Sequence, residues 1–162
     1  MSDAPADIQL ARQCVEALYA RDRASQHLGM TIEAVGPGRA TMTMPVTATM
    51  VNGHDICHGG YVVLVADSAF AFACNTYDRV TVAAGLDVTF LRAARLGDVL
   101  VATAVERARV GKSGIYDVTV ARKTGGEPEV VAEFRGRSRV VGGTVLAGGT
   151  QVAGGGMQTT EE

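Results

Sequence analysis

Little in this sequence points to cross-linking or metal binding. Its three cysteines, Cys14, Cys57 and Cys74, are an odd number in unrelated contexts, and no CxxC pair occurs. A disulfide framework or a zinc site is therefore not expected. An excess of one charge is missing too: the net charge is −2, from 15 Lys and Arg against 17 Asp and Glu. Bulk electrostatics gives no reason to expect a nucleic-acid partner, and any anionic ligand must be met by a local cluster of cations. Residues 1–10 have neither a basic start nor a long apolar core, so no secretory signal is expected and the cytoplasm is the expected location. The apolar run from Tyr61 to Asn75 falls short of the ~20 residues that cross a bilayer, so no membrane span is expected. What remains is ordinary globular material, 47% apolar and 20% charged over 162 residues, enough for one domain with a single core.

That apolar run organises the chain. It reads Tyr-Val-Val-Leu-Val-Ala-Asp-Ser-Ala-Phe-Ala-Phe-Ala-Cys-Asn, about four turns of helix, apolar on nearly every side, with the single carboxylate Asp67 inside it. A helix apolar all round must be covered all round. Just before it stands Asn52-Gly53-His54-Asp55-Ile56-Cys57-His58-Gly59-Gly60. The diglycine allows a tight entry where backbone can approach a ligand closely.

Elsewhere the periodicities are clear. Residues 7–24 read as an amphipathic helix carrying Ile8, Ala11, Val15 and Leu18 on one side, with Asp3 or Asp7 as cap and Gly29 as stop. Residues 31–35 and 39–46 form a predicted hairpin about Gly36-Pro37-Gly38, with Ala40, Met42, Met44 and Val46 on one face. After the helix come strands over 80–90, from 99, around 116–120 and over 130–140, separated by turns at Gly97-Asp98, Arg109–Gly114 and Thr124–Pro128. Long strands joined by short loops suggest an antiparallel meander. Residues 142–162 carry seven glycines and only two charges, and are expected to be a flexible tail.

One apolar helix and five to six antiparallel strands leave few α+β architectures. The sheet has to curl around the helix, which is the hot-dog arrangement. The expected units are an N-terminal helix and flank (1–29), a hot-dog domain (30–141) and the tail. Such a sheet leaves a long edge exposed, and edge-to-edge dimerisation would cover it.

On Asn52, His58-Gly59-Gly60, Ala66-Asp67-Ser68-Ala69, Thr89-Phe90-Leu91-Arg92, Gly111–Asp117 and Phe134-Arg135-Gly136, the sequence resembles the PaaI-type acyl-CoA thioesterases of the phenylacetate-degradation group. The resemblance spans residues 8 to 142 and leaves out the Gly-rich end. It implies that Asp67 is the catalytic carboxylate, that the Gly59 N–H polarises the thioester carbonyl, and that Asn52 and His58 support the site. It further implies no metal or organic cofactor, a homodimer that pairs into a homotetramer, and aryl-acetyl-CoA as substrate.

The residues themselves fit hydrolysis. Thioester cleavage needs a donor where negative charge grows and a base or nucleophile on the far side of the carbon. Gly59 and Gly60 open the helix, where N–H groups lack partners and the dipole is positive. Asp67 lies eight positions on, so ~12 Å along the axis, out of reach of a carbonyl held at Gly59 of the same chain. Two antiparallel helices about a two-fold would bring Asp67 of one chain opposite Gly59 of the other. Gly60 and Thr89 are expected beside the substrate, and Lys112 and Arg137 are the first candidates for the CoA phosphates, ahead of Arg92, Arg135 and Arg139. Gly111-Lys112-Ser113 lacks the glycine spacing of a Walker loop. Two competing readings are a hot-dog hydratase or dehydratase, which needs a His over the acyl chain, and a non-catalytic acyl-CoA sensor.

Overall fold

The computed structural model describes residues 4–148. In chain order its elements are α1 (Pro5–Tyr19), α2 (Arg23–His27), β1 (Thr31–Gly36), β2 (Arg39–Pro45), α3 (Gly59–Cys74), β3 (Thr81–Phe90), β4 (Val99–Val110), β5 (Ser113–Arg122) and β6 (Glu129–Val140). The strands form one antiparallel six-stranded sheet in the order β1-β2-β4-β5-β6-β3, and α3 packs into its concave side. This is the expected hot-dog fold. It is not a simple meander: α3 carries the chain across the sheet, so β3 emerges at the far edge and pairs with β6, Thr81 against Val140 and Phe90 against Ala132. Four register shifts, at Glu33, Ala84, Arg107 and Val131, each insert one extra residue. Such bulges increase local twist, and here they help the sheet wrap the helix.

Small residues let helix and sheet approach. Ala66, Ala69 and Ala73 of α3 meet Ala102, Ala104 and Ala132 of the strands in a core filled out by Met42, Met44, Leu100, Val118 and Val120. The Phe70 ring packs on Tyr116 (centroids 5.5 Å apart) and Phe134 (5.8 Å). It also lies directly on Gly136, where an added Cβ would come within 2.8 Å of the ring.

Three expectations need correction. The helix over 7–24 is broken in two, because Asp22 accepts hydrogen bonds from the Ser25 N–H (2.9 Å) and Ser25 Oγ (2.6 Å) and so starts α2. An aspartate at an N-cap competes with helix continuation. The start of α1 has no side-chain cap: Ala4 holds that place with Pro5 next, Asp7 sits within the first turn, and Asp3 lies outside the described residues.

Second, α3 is not covered on all sides by its own chain. Val62, Val65, Ala66, Ala69, Phe70 and Ala73 are buried, whereas Val63, Leu64, Asp67 and Ala71 form a half-buried stripe. Third, the chain past Val141 does not leave the domain at once. Val145 is buried, the Leu146 N–H donates to Asp78 Oδ1 (2.9 Å), and the Arg21 guanidinium donates to the carbonyls of Val145 and Gly148. The rest of the expected tail, 149–162, lies outside the described residues.

Candidate active site

The loop before α3 is rigidly closed. The Asn52 N–H donates to the Ile56 carbonyl (2.8 Å), the Asp55 N–H to the Asn52 carbonyl (3.0 Å), and the His54 N–H to Asn52 Oδ1 (2.9 Å). Asp55 adopts a left-handed φ of 56° to make the turn. The His58 N–H donates to Met50 O (2.8 Å) and the Cys57 N–H to Ala94 O (2.8 Å), which pins the loop to its neighbours on both sides.

His58 is the N-cap of α3: its Nδ1 accepts the Gly60 N–H at 2.9 Å. The Gly60 amide is thereby occupied, and Tyr61 N–H is occupied by the His58 carbonyl. The Gly59 N–H has no partner among the described residues, and the positive end of the helix dipole adds to its pull on a growing negative charge. A cleft of about 360 Å³ opens at this point, lined by Asn52, Ile56, Gly59, Val62, Phe90 and Val131 among others.

Asp67 stands two turns further along α3 on the half-buried stripe. Its Oδ1 is the one buried side-chain polar atom without a hydrogen-bond partner among the described residues. Burial pushes its carboxyl above the usual carboxylate range, because desolvation penalises the charged form. All three cysteines are buried and free, burial raises each of them, and Cys74 reaches about 12; a thiol held protonated is inert.

Within one chain, then, the structure brings Asn52, His58, Gly59 and Gly60 together, with Arg92 lining the same cleft, and leaves Asp67, Thr89, Lys112 and Arg137 elsewhere. Asp67 does not line the Gly59 cleft. Thr89 lies on the outer face of the sheet in a groove with Asp87, Arg107, Asp117, Glu133 and Arg135. Arg137 is on that side also, ion-paired with Asp87 and resting against Gly85. Lys112 sits at the β4–β5 turn beside a small cleft shared with Arg79, Arg109 and Cys74, at the opposite end of α3. The sequence offered Phe90 only as part of the Thr89–Arg92 motif and did not single out Val131. Neither could be assigned without knowing that β3 pairs with β6.

A curled antiparallel sheet around one helix, with an unpaired amide at that helix's start and an unpaired carboxylate along it, defines a hot-dog hydrolase scaffold. The profile described as "Thioesterase superfamily" matches residues 54–129. "Acyl-coenzyme A thioesterase PaaI" of Escherichia coli (strain K12) is 41% identical over 135 residues, 83% of this chain and 94% of that protein. The solved structure of the E. coli PaaI protein from the phenylacetic acid degradation operon superposes with a TM-score of 0.81 at 40% identity, covering 85% of this chain and 97% of that one. A mutant of the phenylacetic acid degradation protein PaaI from Thermus thermophilus gives 0.69 at 31% identity, over 74% and 100% of the two chains. The chain belongs to the thioesterase superfamily, as a PaaI-type hot-dog thioesterase.

Proposed function

We propose that the protein hydrolyses acyl-CoA thioesters to the free acid and CoA, with aryl-acetyl esters such as phenylacetyl-CoA and its hydroxylated forms as the preferred class. The observation that carries this reading is the pair of unsatisfied groups on α3, the Gly59 N–H at the mouth of an apolar cleft and the Asp67 carboxylate on the uncovered stripe. The thioester carbonyl oxygen accepts from the Gly59 N–H. Asp67 either takes a proton from the attacking water or adds to the carbonyl carbon itself. The tetrahedral oxyanion is held at Gly59 and the C–S bond breaks; as a base, Asp67 passes the proton of the attacking water to the CoA thiolate, and as a nucleophile it forms a mixed anhydride that water then opens, releasing the acid and the proton that the thiolate takes up. A donor of this kind is typically worth ~10²–10³ in rate.

Eight residues of helix separate the two groups by ~12 Å, so one carbonyl does not meet both within a chain. The site is therefore shared: α3 helices of two protomers run antiparallel about a two-fold, setting Asp67 of one opposite Gly59 of its twin. The half-buried stripe of Val63, Leu64, Asp67 and Ala71 and the unpaired edge of β3 are the surfaces this dimer covers, and dimers pair into a tetramer. Asn52 and His58 hold the loop and cap that present the amide. Lys112, with Arg79 and Arg109 nearby, is the better anchor for the CoA phosphates, since Arg137 is engaged by Asp87. Three free thiols suit a reducing cytoplasm. His58 Nδ1 is occupied by the Gly60 amide, which disfavours a hydratase built on that imidazole.

Subunit mixing tests the shared site. Asp67→Asn and Gly59→Val are each expected to be inactive alone. Unfolded together and refolded, they should regain about a quarter of wild-type thiol release, since half the dimers are mixed and each mixed dimer has one intact site. No recovery in verified mixed dimers would overturn the shared geometry.

A further inference from the structure

The Gly59 amide has one conspicuous neighbour. A Cβ built on Gly59 would lie 3.0 Å from Phe90 Cζ, 3.3 Å from Cε1 and 3.5 Å from Cε2, so the Phe90 ring tip rests against the glycine backbone. Phe90 is nevertheless 51% exposed. The chain has four phenylalanines, and Phe70, Phe72 and Phe134 are buried in the core. Phe90 is the aromatic ring that lines the Gly59 cleft; its other apolar walls are aliphatic, including Ile56, Val62, Leu91 and Val131.

The ring is also firmly mounted. Phe90 is the last residue of β3 and pairs with Ala132. Immediately beyond it, the Leu91 and Arg92 N–H groups both donate to the Val131 carbonyl, at 2.8 and 3.2 Å. Val131 is the bulged residue of β6 and is itself buried. Arg92, the cation at this cleft, donates Nη1 to the Val130 carbonyl at 3.0 Å and so further ties this turn to β6.

We infer that Phe90 is a specificity-determining residue, the wall against which the acyl group of the thioester packs while its carbonyl oxygen sits on the Gly59 amide, and that it selects flat aromatic acyl groups over flexible aliphatic ones. Aromatic rings gain from offset or edge-to-face contact beyond their buried area, whereas a straight acyl chain gains only area from either a phenyl or an aliphatic wall. The inference rests on the thioesterase reading and deepens it.

The test is the ratio of kcat/KM for phenylacetyl-CoA to that for hexanoyl-CoA, measured by thiol release in wild type, Phe90→Leu and Phe90→Tyr. Because the ratio is internal to each preparation, it does not depend on the active fraction. Phe90→Leu is expected to lower it roughly three- to tenfold, and Phe90→Tyr to hold it within about twofold of wild type. An unchanged ratio in Phe90→Leu, with both substrates slowed equally or not at all, overturns the assignment of Phe90. Absence of thiol release from either ester in the wild-type protein overturns the thioesterase reading instead.

Discussion

Asp67→Asn should move activity and stability in opposite directions. The wild-type carboxylate has a buried oxygen with no partner and a raised pKa from desolvation. In the single protomer the ionised form is therefore the costly one, and the facing helix start of the partner offsets part of that cost. Stability is least affected below the ordinary aspartate pKa, falls as pH rises through the interval between the ordinary and the raised value, and stays reduced above it. A neutral carboxamide of the same shape removes the charge but keeps a buried polar atom. Asp67 is half-buried, so solvent screens part of that cost, and the gain is set at the bottom of the usual cost of an unsatisfied buried group, about 1 kcal/mol. For a chain of this size that raises Tm by about 2–4 °C at neutral pH, with the gain vanishing in acid. Over the same substitution kcat should fall ~10²–10⁴-fold with KM little changed, as for loss of a positioned base. Thermal melts across pH and steady-state thiol release on one preparation give both readouts. Substantial retained turnover, or a lower Tm at neutral pH with none of the pH dependence, would refute the reasoning.

Other outcomes follow from the same geometry. Because the Asp67 pKa is raised, kcat/KM in the wild type should be lost on acidification at a pH above the ordinary aspartate value, and that limb should disappear in the residual activity of Asp67→Asn. Gly136→Ala forces a Cβ to within 2.8 Å of the Phe70 ring; overpacking of this kind typically costs about 1–3 kcal/mol, to be read as a lower denaturation midpoint. His58→Ala removes the cap from the Gly60 amide and should lower stability by ~1 kcal/mol, measured in the same unfolding experiment. Single turnover in heavy-oxygen water with rapid quench separates the two roles of Asp67: label retained in the protein, or a trapped acyl-enzyme, marks a nucleophile, and label in the product acid alone with no acyl-enzyme trapped marks a base.

The parts of the fold visible from sequence are those written in short-range patterns. The alternation of Ala40, Met42, Met44 and Val46 put all four in the core. The step from His58 through Gly59 and Gly60 to an apolar run marked the start of α3 correctly. The features that escaped depend on partners distant in sequence. Nothing in the alternation of residues 80–90 says that their neighbour is β6 rather than β2, and the position of Phe90 beside Gly59 follows from that pairing. The docking of residues 142–148 likewise needs Arg21 and Asp78, each more than 60 positions away. Asp67 was picked out as a buried acid, but its place on the uncovered stripe of α3 required knowing which helix face the sheet takes.

The ten residues of β3 have two jobs at once. One rim of the strand is an open border of the sheet, and its last side chain leans on Gly59 at the start of α3. A substitution in this short segment therefore touches both the sheet border and the backbone that opens α3.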